Sequence, residues 1–277
     1  MTPTLVRQHL SHVGAAPRVN LCARARDWSE IQERMLVPLY EAVYERLETG
    51  PGTRLLGLGC GSGLALLMAV SRGAAVAGVD SSPERLALAR QRLQPEGWNT
   101  RARVRTRILA GSVRDVAGPD TPVYTLVTAF DPVGSLAAGS EDLAELLAAA
   151  TPLARRGAPV VLAGWGPPER CATSAVLRAT AGRARWRPAL RDDLEDVAQR
   201  AGLKPDGSGR VSCPFGYADP DSAARGLMST GLLDGAIAAT DQERVGKELA
   251  EALHPYRRAD GTVWMPNVFR YLVARVP

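Results

Sequence analysis

Gly57, Gly59, Gly61 and Gly63 alternate with Leu58, Cys60 and Ser62. A backbone without Cβ atoms can turn sharply and let a ligand rest on main-chain amides, so the stretch predicts a ligand seat. Its spacing narrows the choice. A phosphate-binding P-loop closes on Lys-Ser or Lys-Thr, and here Leu64-Ala65 follows Gly63. The dinucleotide pattern G-x-G-x-x-G ends on Ser62 when counted from Gly57 and on Leu64 when counted from Gly59, so it fails in both registers. What remains is G-x-G-x-G, with Asp80 some way downstream. An ionised carboxylate there can accept both hydroxyl protons of a ribose diol.

The elements that must hold these residues are legible around them. Thr53–Leu58 reads as a strand, Gly59–Gly63 as the turn, Leu64–Ser71 as a helix and Ala74–Val79 as a second strand ending on Asp80. Ser82-Pro83-Glu84 starts the next helix, with a cap, a first-turn proline and an acid near the positive end of the dipole, and it runs to Leu93. Upstream, Asp27 is placed to cap a helix from Trp28 to about Leu47, interrupted at Pro38, with Ile31, Met35, Leu39, Ala42, Val43 and Leu47 as its apolar stripe.

On the glycine loop and Asp80 the chain resembles the class I S-adenosylmethionine-dependent methyltransferases, in particular the small-molecule branch akin to the quinone-biosynthesis enzymes. The resemblance covers roughly Trp28 to the C-terminus. It implies an α/β fold, a Rossmann-like seven-stranded sheet of order 3-2-1-4-5-7-6 with strand 7 antiparallel, helices on both faces and a helical cap. It also implies S-adenosyl-L-methionine as cofactor and S-adenosyl-L-homocysteine as product. Carried over residue by residue, Gly59, Cys60 and Gly61 hold the methionine part, Asp80 with Ser81 behind it holds the ribose, and Ser112 and Val113 frame the adenine. Trp28, Tyr40 and Tyr44 on the leading helix lie over the methionine end, and Gly57 and Phe130 border the same seat. Two positions depart from the pattern. Gly57 stands where the family usually has an acid, and Ser112 where it usually has Asp; a serine hydroxyl oxygen still accepts from an amino group.

Further along, Ile108–Ala110 completes the third strand. Ahead of it Arg101, Arg103, Arg105 and Arg107 alternate with smaller residues, which puts them on one face of an edge strand, where charge discourages sheet-to-sheet aggregation. Val123–Ala129 reads as the fourth strand, running into Phe130-Asp131-Pro132-Val133-Gly134. Ligands in open parallel sheets sit beyond the carboxyl ends of the strands, so the methyl acceptor is expected there. The phrase half-matches the N/D-P-P-Y/F motif of methyltransferases acting on nucleobase amines but lacks the second proline and the aromatic that would stack a flipped base. Pro159–Gly164 is the fifth strand, with Trp165 at its end as a candidate wall of the acceptor pocket. Helices follow at about Glu169–Ala181 and Leu190–Ala201, Gly209–Phe215 is the sixth strand, and Val268–Val276 the last. The expected organisation is an N-terminal arm over 1–26 and a methyltransferase domain over 27–277, with cap elements at 27–48, 168–187 and 219–256.

Methyl transfer from a sulfonium needs mainly alignment and exclusion of water, and a base only where the acceptor must lose a proton. The candidates for that role are His254, the residue most apt to titrate near neutrality, Asp131 and Tyr217. The expected acceptor is a small apolar or aromatic specialised metabolite, methylated at oxygen, nitrogen or carbon. Three other readings stay open: a nucleic-acid methyltransferase, a protein of this fold that binds the cofactor without transferring methyl, and a nucleotide-dependent oxidoreductase, which the glycine register disfavours.

Composition is consistent with a soluble domain: 45% of the 277 residues are hydrophobic and 23% charged. The formal charge is +5, and Lys204 and Lys247 are the lysines among its basic residues; this arginine bias is as readily genomic as a nucleic-acid signature, so no nucleic-acid partner is expected. No apolar run reaches membrane-spanning length and no secretory segment precedes the domain, which predicts a cytoplasmic protein with no membrane partner. Cys22, Cys60, Cys171 and Cys213 are widely spaced, so neither a metal site nor a disulfide framework is expected and each reads as a small buried residue.

Overall fold

The computed structural model describes residues 20–94, 106–111, 113–116, 123–133, 139–180 and 190–277. Its centre is set by apolar strands too short to satisfy themselves. β1 (Arg54–Leu58) lies parallel between β2 (Ala75–Asp80) and β4 (Leu126–Val133), with Leu56 opposite Ala77 on one side and Val127 on the other. β3 (Thr106–Ala110) forms one edge and β5 (Pro159–Trp165) continues the sheet past β4. β1, β2 and β5 are buried along nearly their whole length, as strands covered on both faces must be.

The remaining order follows from the C-terminus. After β6 (Lys204–Ser212), β7 (Phe215–Tyr217) and β8 (Val263–Met265), the last strand β9 (Val268–Arg275) enters antiparallel between β5 and β6. The sheet therefore runs β3-β2-β1-β4-β5-β9-β6, the expected order with β9 in the place of strand 7. β7 and β8 pair with each other in a small second sheet. The sixth strand was expected over Gly209–Phe215; it ends at Ser212 because Cys213-Pro214 turns the chain and proline has no N–H for the ladder, and Phe215 belongs to β7. The fourth strand starts at Leu126 instead of Val123, since Tyr124 makes only an isolated bridge to Ala154. It runs through Phe130, Asp131 and Pro132, with a shift of register against β5 between Ala129 and Val133.

Two cores lie on opposite faces of the sheet. One is covered by α5 (Gly139–Ala150) and α7 (Asp193–Arg200). The other takes the leading helices, α3 (Leu64–Ser71), α4 (Pro83–Leu93), α6 (Ala172–Thr180) and three helices of the long connection, α8 (Pro220–Ser229), α9 (Asp234–Ala239) and α10 (Gln242–Leu253).

The leading helix begins earlier than its sequence suggested. Asn20, not Asp27, is the cap: its side chain accepts from Ala23 N at 3.0 Å and opens α1 (Leu21–Asp27), which begins in the expected N-terminal arm and ends one residue beyond it. Asp27 has helical dihedrals and makes no cap bond. The chain then loosens into a π turn at Trp28–Gln32, tightens into a 3₁₀ turn at Glu33–Leu36 and resumes as α2 (Val37–Arg46) with Pro38 in its first turn, where no N–H is needed. Cys60, Cys171 and Cys213 are buried, but Cys22, expected inside, is exposed on α1. No helix among the described residues is long and apolar enough to cross a membrane. The alternating arginines at 101, 103 and 105 lie outside the described residues, and Arg107 is exposed on the edge strand β3.

Candidate functional site

The alternating glycines are explained by backbone geometry. Gly59, Gly61 and Gly63 have φ of 60°, 56° and 82°, in the left-handed region that side chains with a Cβ disfavour. The turn is pinned on both sides: Cys60 N donates to Val79 O at 2.9 Å, and Gly61 N donates to Asp80 Oδ2 at 2.8 Å. Asp80 Oδ1 accepts from Ser82 N at 2.8 Å. The buried carboxylate is thus held rigidly at the end of β2 while keeping lone pairs for further donors. Ser81, next to it, is exposed.

Gly57 has a different reason. It sits opposite Gly78 on β2, and Leu66 of α3 packs into the space both glycines leave. A Cβ at position 57 would stand 2.9 Å from Leu66 Cδ2, and one at position 78 would stand 2.5 Å from Leu66 Cδ1 and 2.9 Å from Cys60 Sγ. Cys60 is therefore a small side chain filling a fixed gap.

Over the turn lies the leading segment. The Glu33 carboxylate is buried against the start of α3: it accepts from the Ser62 hydroxyl, from Leu64 N at 3.4 Å and from Arg92 Nη1 at 2.7 Å. Arg92 also donates to Ser62 O at 2.9 Å and to Ser29 Oγ at 2.9 Å, so one guanidinium from α4 joins the π turn to the glycine loop. Trp28 lies beside it, with Arg85 stacked over the ring at 4.3 Å. Its Nε1–H is buried without a partner among the described residues, 3.0 Å from where a Cβ on Gly61 would stand. Sequence reasoning missed Ser29, Glu33, Ser62 and Arg92. The signal was available: Trp28, Ser29, Gln32, Glu33, Leu36 and Tyr40 share one helical face, and the buried half of that face is polar where it meets the loop.

Phe130 closes the floor. Its ring packs on Tyr40 at 4.9 Å and Tyr44 at 5.9 Å, and the Tyr44 hydroxyl donates to Ala65 O at 2.9 Å. Trp28, Glu33, Tyr40, Gly57, Gly61 and Phe130 border a cavity of about 20 Å³ between loop and leading segment, roughly the room of one water. Wider grooves of about 730 and 560 Å³ open at the β5 and β9 end, and no residue of the glycine loop lines either.

The other expected site residues are more scattered. Val113 is fully buried in the core on the far face, and Ser112 lies outside the described residues. Asp131 runs in β4 directly after Phe130; its side chain lies outside what is described. Tyr217 is buried and its hydroxyl donates to Gln32 Oε1 at 2.9 Å; burial raises its pKa above the ordinary tyrosine value, so it holds its proton. His254 is exposed in the short turn after α10 and does not border the cavity. Trp165 packs against Phe269 at 4.6 Å and Phe215 at 6.0 Å and borders the smaller groove.

These residues fit S-adenosylmethionine. Asp80 offers free lone pairs where a ribose would lie, the loop presents bare backbone, and the orphaned Trp28 Nε1–H is a buried donor facing it. As it stands the cavity has room for about one water, so seating the amino-acid end there would need its walls to open.

Residues 21–135 match the model of a family described as mycolic acid cyclopropane synthetase. No curated protein matches the chain. Among solved structures, YjhP from E. coli is 20% identical with a TM-score of 0.52, over 92% of this chain and 99% of that one. The cyclase SpnF is 18% identical with a TM-score of 0.52, over 86% and 80%. Geranyl diphosphate C-methyltransferase from Streptomyces coelicolor A3(2) is 17% identical with a TM-score of 0.50, over 88% and 80%. At these identities the structures speak for the fold. The G-x-G-x-G loop and Asp80 lie inside the matched segment, and the sheet has the order of the class I S-adenosylmethionine-dependent methyltransferase fold.

Proposed function

We propose that this protein methylates a small apolar or aromatic acceptor, a specialised metabolite, and that the acceptor approaches from the Phe130 side of the cofactor seat. The observation that carries the reading is the aromatic wall of Tyr40 and Phe130, backed by the buried Tyr44, at the carboxyl end of β4 next to the loop. Such a wall excludes water and favours an apolar partner. The prenyl chain of geranyl diphosphate, the compound bound in the Streptomyces coelicolor structure, has the size and apolar character envisaged.

The cofactor supplies an activated methyl group on a sulfonium. The chain's part is to hold that centre and the acceptor in line and dry, and positioning alone is worth up to about 7–11 kcal/mol. The leading segment at 27–48 and the helices within 168–187 and 219–256 act as the cap that sequesters the acceptor; residues 181–187 of that cap lie outside the described residues. Of the three residues considered for handling a proton, Tyr217 is committed to Gln32 and His254 faces solvent. The orienting role is assigned to Asp131, adjacent in sequence to Phe130 and at the end of the same strand.

The test is transfer of labelled methyl from the cofactor to a panel of prenyl, phenolic and polyketide-like acceptors, read by mass spectrometry. Label in an organic-extractable product is expected. Label passing only to RNA or DNA would sink the reading, as would cofactor binding with no transfer to any acceptor of the panel.

A further inference from the structure

The amino-acid end of S-adenosylmethionine carries an ammonium and a carboxylate, and a zwitterion drawn out of water needs a partner for each charge. Among the described residues bordering the cavity beside the loop, Glu33 supplies the one carboxylate and Trp28 the one side-chain N–H. The strand position beneath them cannot contribute, since Leu66 occupies the space a side chain at Gly57 would need. We infer that Glu33 and Trp28 form the clamp for the cofactor's amino-acid end, Glu33 Oε1 accepting from the ammonium and Trp28 Nε1–H donating to the carboxylate. The inference rests on the cofactor assignment above.

Three features favour it. The two oxygens of Glu33 are unequally used: Oε2 takes the Arg92 guanidinium and the Ser62 hydroxyl, while Oε1 has only Leu64 N at 3.4 Å and lies 3.1 Å from where a Cβ on Gly61 would stand. An oxygen so placed keeps acceptor capacity on the loop side. Trp28 Nε1–H is the complementary feature, a buried donor unpartnered among the described residues and 3.0 Å from the same point above Gly61. Most buried donors have a partner, and this one, unlike the indole N–H of Trp165, opens on the cavity beside the loop. Both groups lie on the π and 3₁₀ turns of the leading segment, so engaging the amino acid also fixes that segment over the loop.

The experiment is calorimetric titration of the full chain and of Glu33→Gln with S-adenosylhomocysteine and with 5′-methylthioadenosine, which keeps the nucleoside and thioether but has neither ammonium nor carboxylate. The clamp predicts that Glu33→Gln weakens S-adenosylhomocysteine by about 10- to 100-fold and leaves methylthioadenosine within about twofold. Equal losses for both ligands would mean that Glu33 only holds the loop, and an unchanged S-adenosylhomocysteine affinity would likewise overturn the assignment. If the wild-type chain bound neither ligand, the cofactor assignment itself would fall and the clamp with it. Trp28→Phe, which keeps the ring under Arg85 and removes the donor, provides a second variant should Glu33→Gln not fold, and the same selective loss is expected of it.

Discussion

Arg92 on α4 donates to Glu33 on the leading segment at 2.7 Å, across the mouth of the glycine loop. The Glu33 side chain is only 3% exposed, so removing its cation leaves a buried charge without a partner. Arg92→Ala should therefore lower stability by about 3 kcal/mol, and Arg92→Ala combined with Glu33→Gln should recover part of that loss. Urea denaturation of the two single variants and the double gives the coupling energy; a value near zero would show that the pair does not lock the segment to the loop.

Asp80 holds the loop through Gly61 N and the start of α4 through Ser82 N. Asp80→Asn keeps the shape but gives up the charged acceptor, and should weaken S-adenosylhomocysteine by about 10- to 100-fold. Unlike Glu33→Gln, it should weaken methylthioadenosine to a similar degree, because the ribose is common to both ligands. Unchanged affinity for either nucleoside by calorimetry would remove Asp80 from the site.

Gly166, after β5, lies where a Cβ would meet Val268 O at 2.6 Å, and a backbone atom of a paired strand cannot swing aside. Gly166→Ala should cost about 1–3 kcal/mol, seen as a drop of several degrees in the melting temperature. At Gly157, where a Cβ would meet nothing within 4 Å, the loss on substitution by alanine should come from the positive φ alone and be smaller. Equal losses at the two sites would contradict the packing argument.

Tyr44 and Tyr217 are both raised above the ordinary value of 10.0 by burial, opposed at Tyr44 by the charge of Arg72 and at Tyr217 by the bond to Gln32. A folded-state pKa above the unfolded one means that the folded chain keeps these protons longer. Their contribution to stability is thus complete below about pH 10 and is lost as the pH climbs beyond it, because only the unfolded chain then gains by ionising. Urea midpoints measured between about pH 9 and pH 11 should fall, and the fall should be shallower in Tyr217→Phe.

A cofactor amino-acid end seated in the cavity of about 20 Å³ would displace the turns at 28–36 that wall it. Hydrogen exchange should show the amides of that segment slowing on addition of S-adenosylhomocysteine, while those of β1 and β5 stay as they were. No change at 28–36 would mean that the ligand reaches the loop by another path.

The loop was legible because its signals are local: glycines at positions of positive φ, an acid at a strand end, a capped helix at Ser82; the sheet order came only through the family resemblance that the loop carries. The leading segment was not. Its apolar residues show a helical stripe in the sequence, but from Trp28 to Leu36 the inward face includes Ser29, Gln32 and Glu33, and their partners lie far off in sequence, Arg92 at 59 residues and Tyr217 at 185. Polar burial of this kind is decided by tertiary contacts. The short β7 and β8 pair was missed for the same reason, since three-residue strands carry no period of their own.

β9 lies antiparallel between β5 and β6, bonded to both. During synthesis, then, β6 has no place in the sheet until Val268–Arg275 has left the ribosome, and β5 waits with an open edge. Nascent chains cut short before that point should attract chaperones and proteases, however complete their cofactor loop.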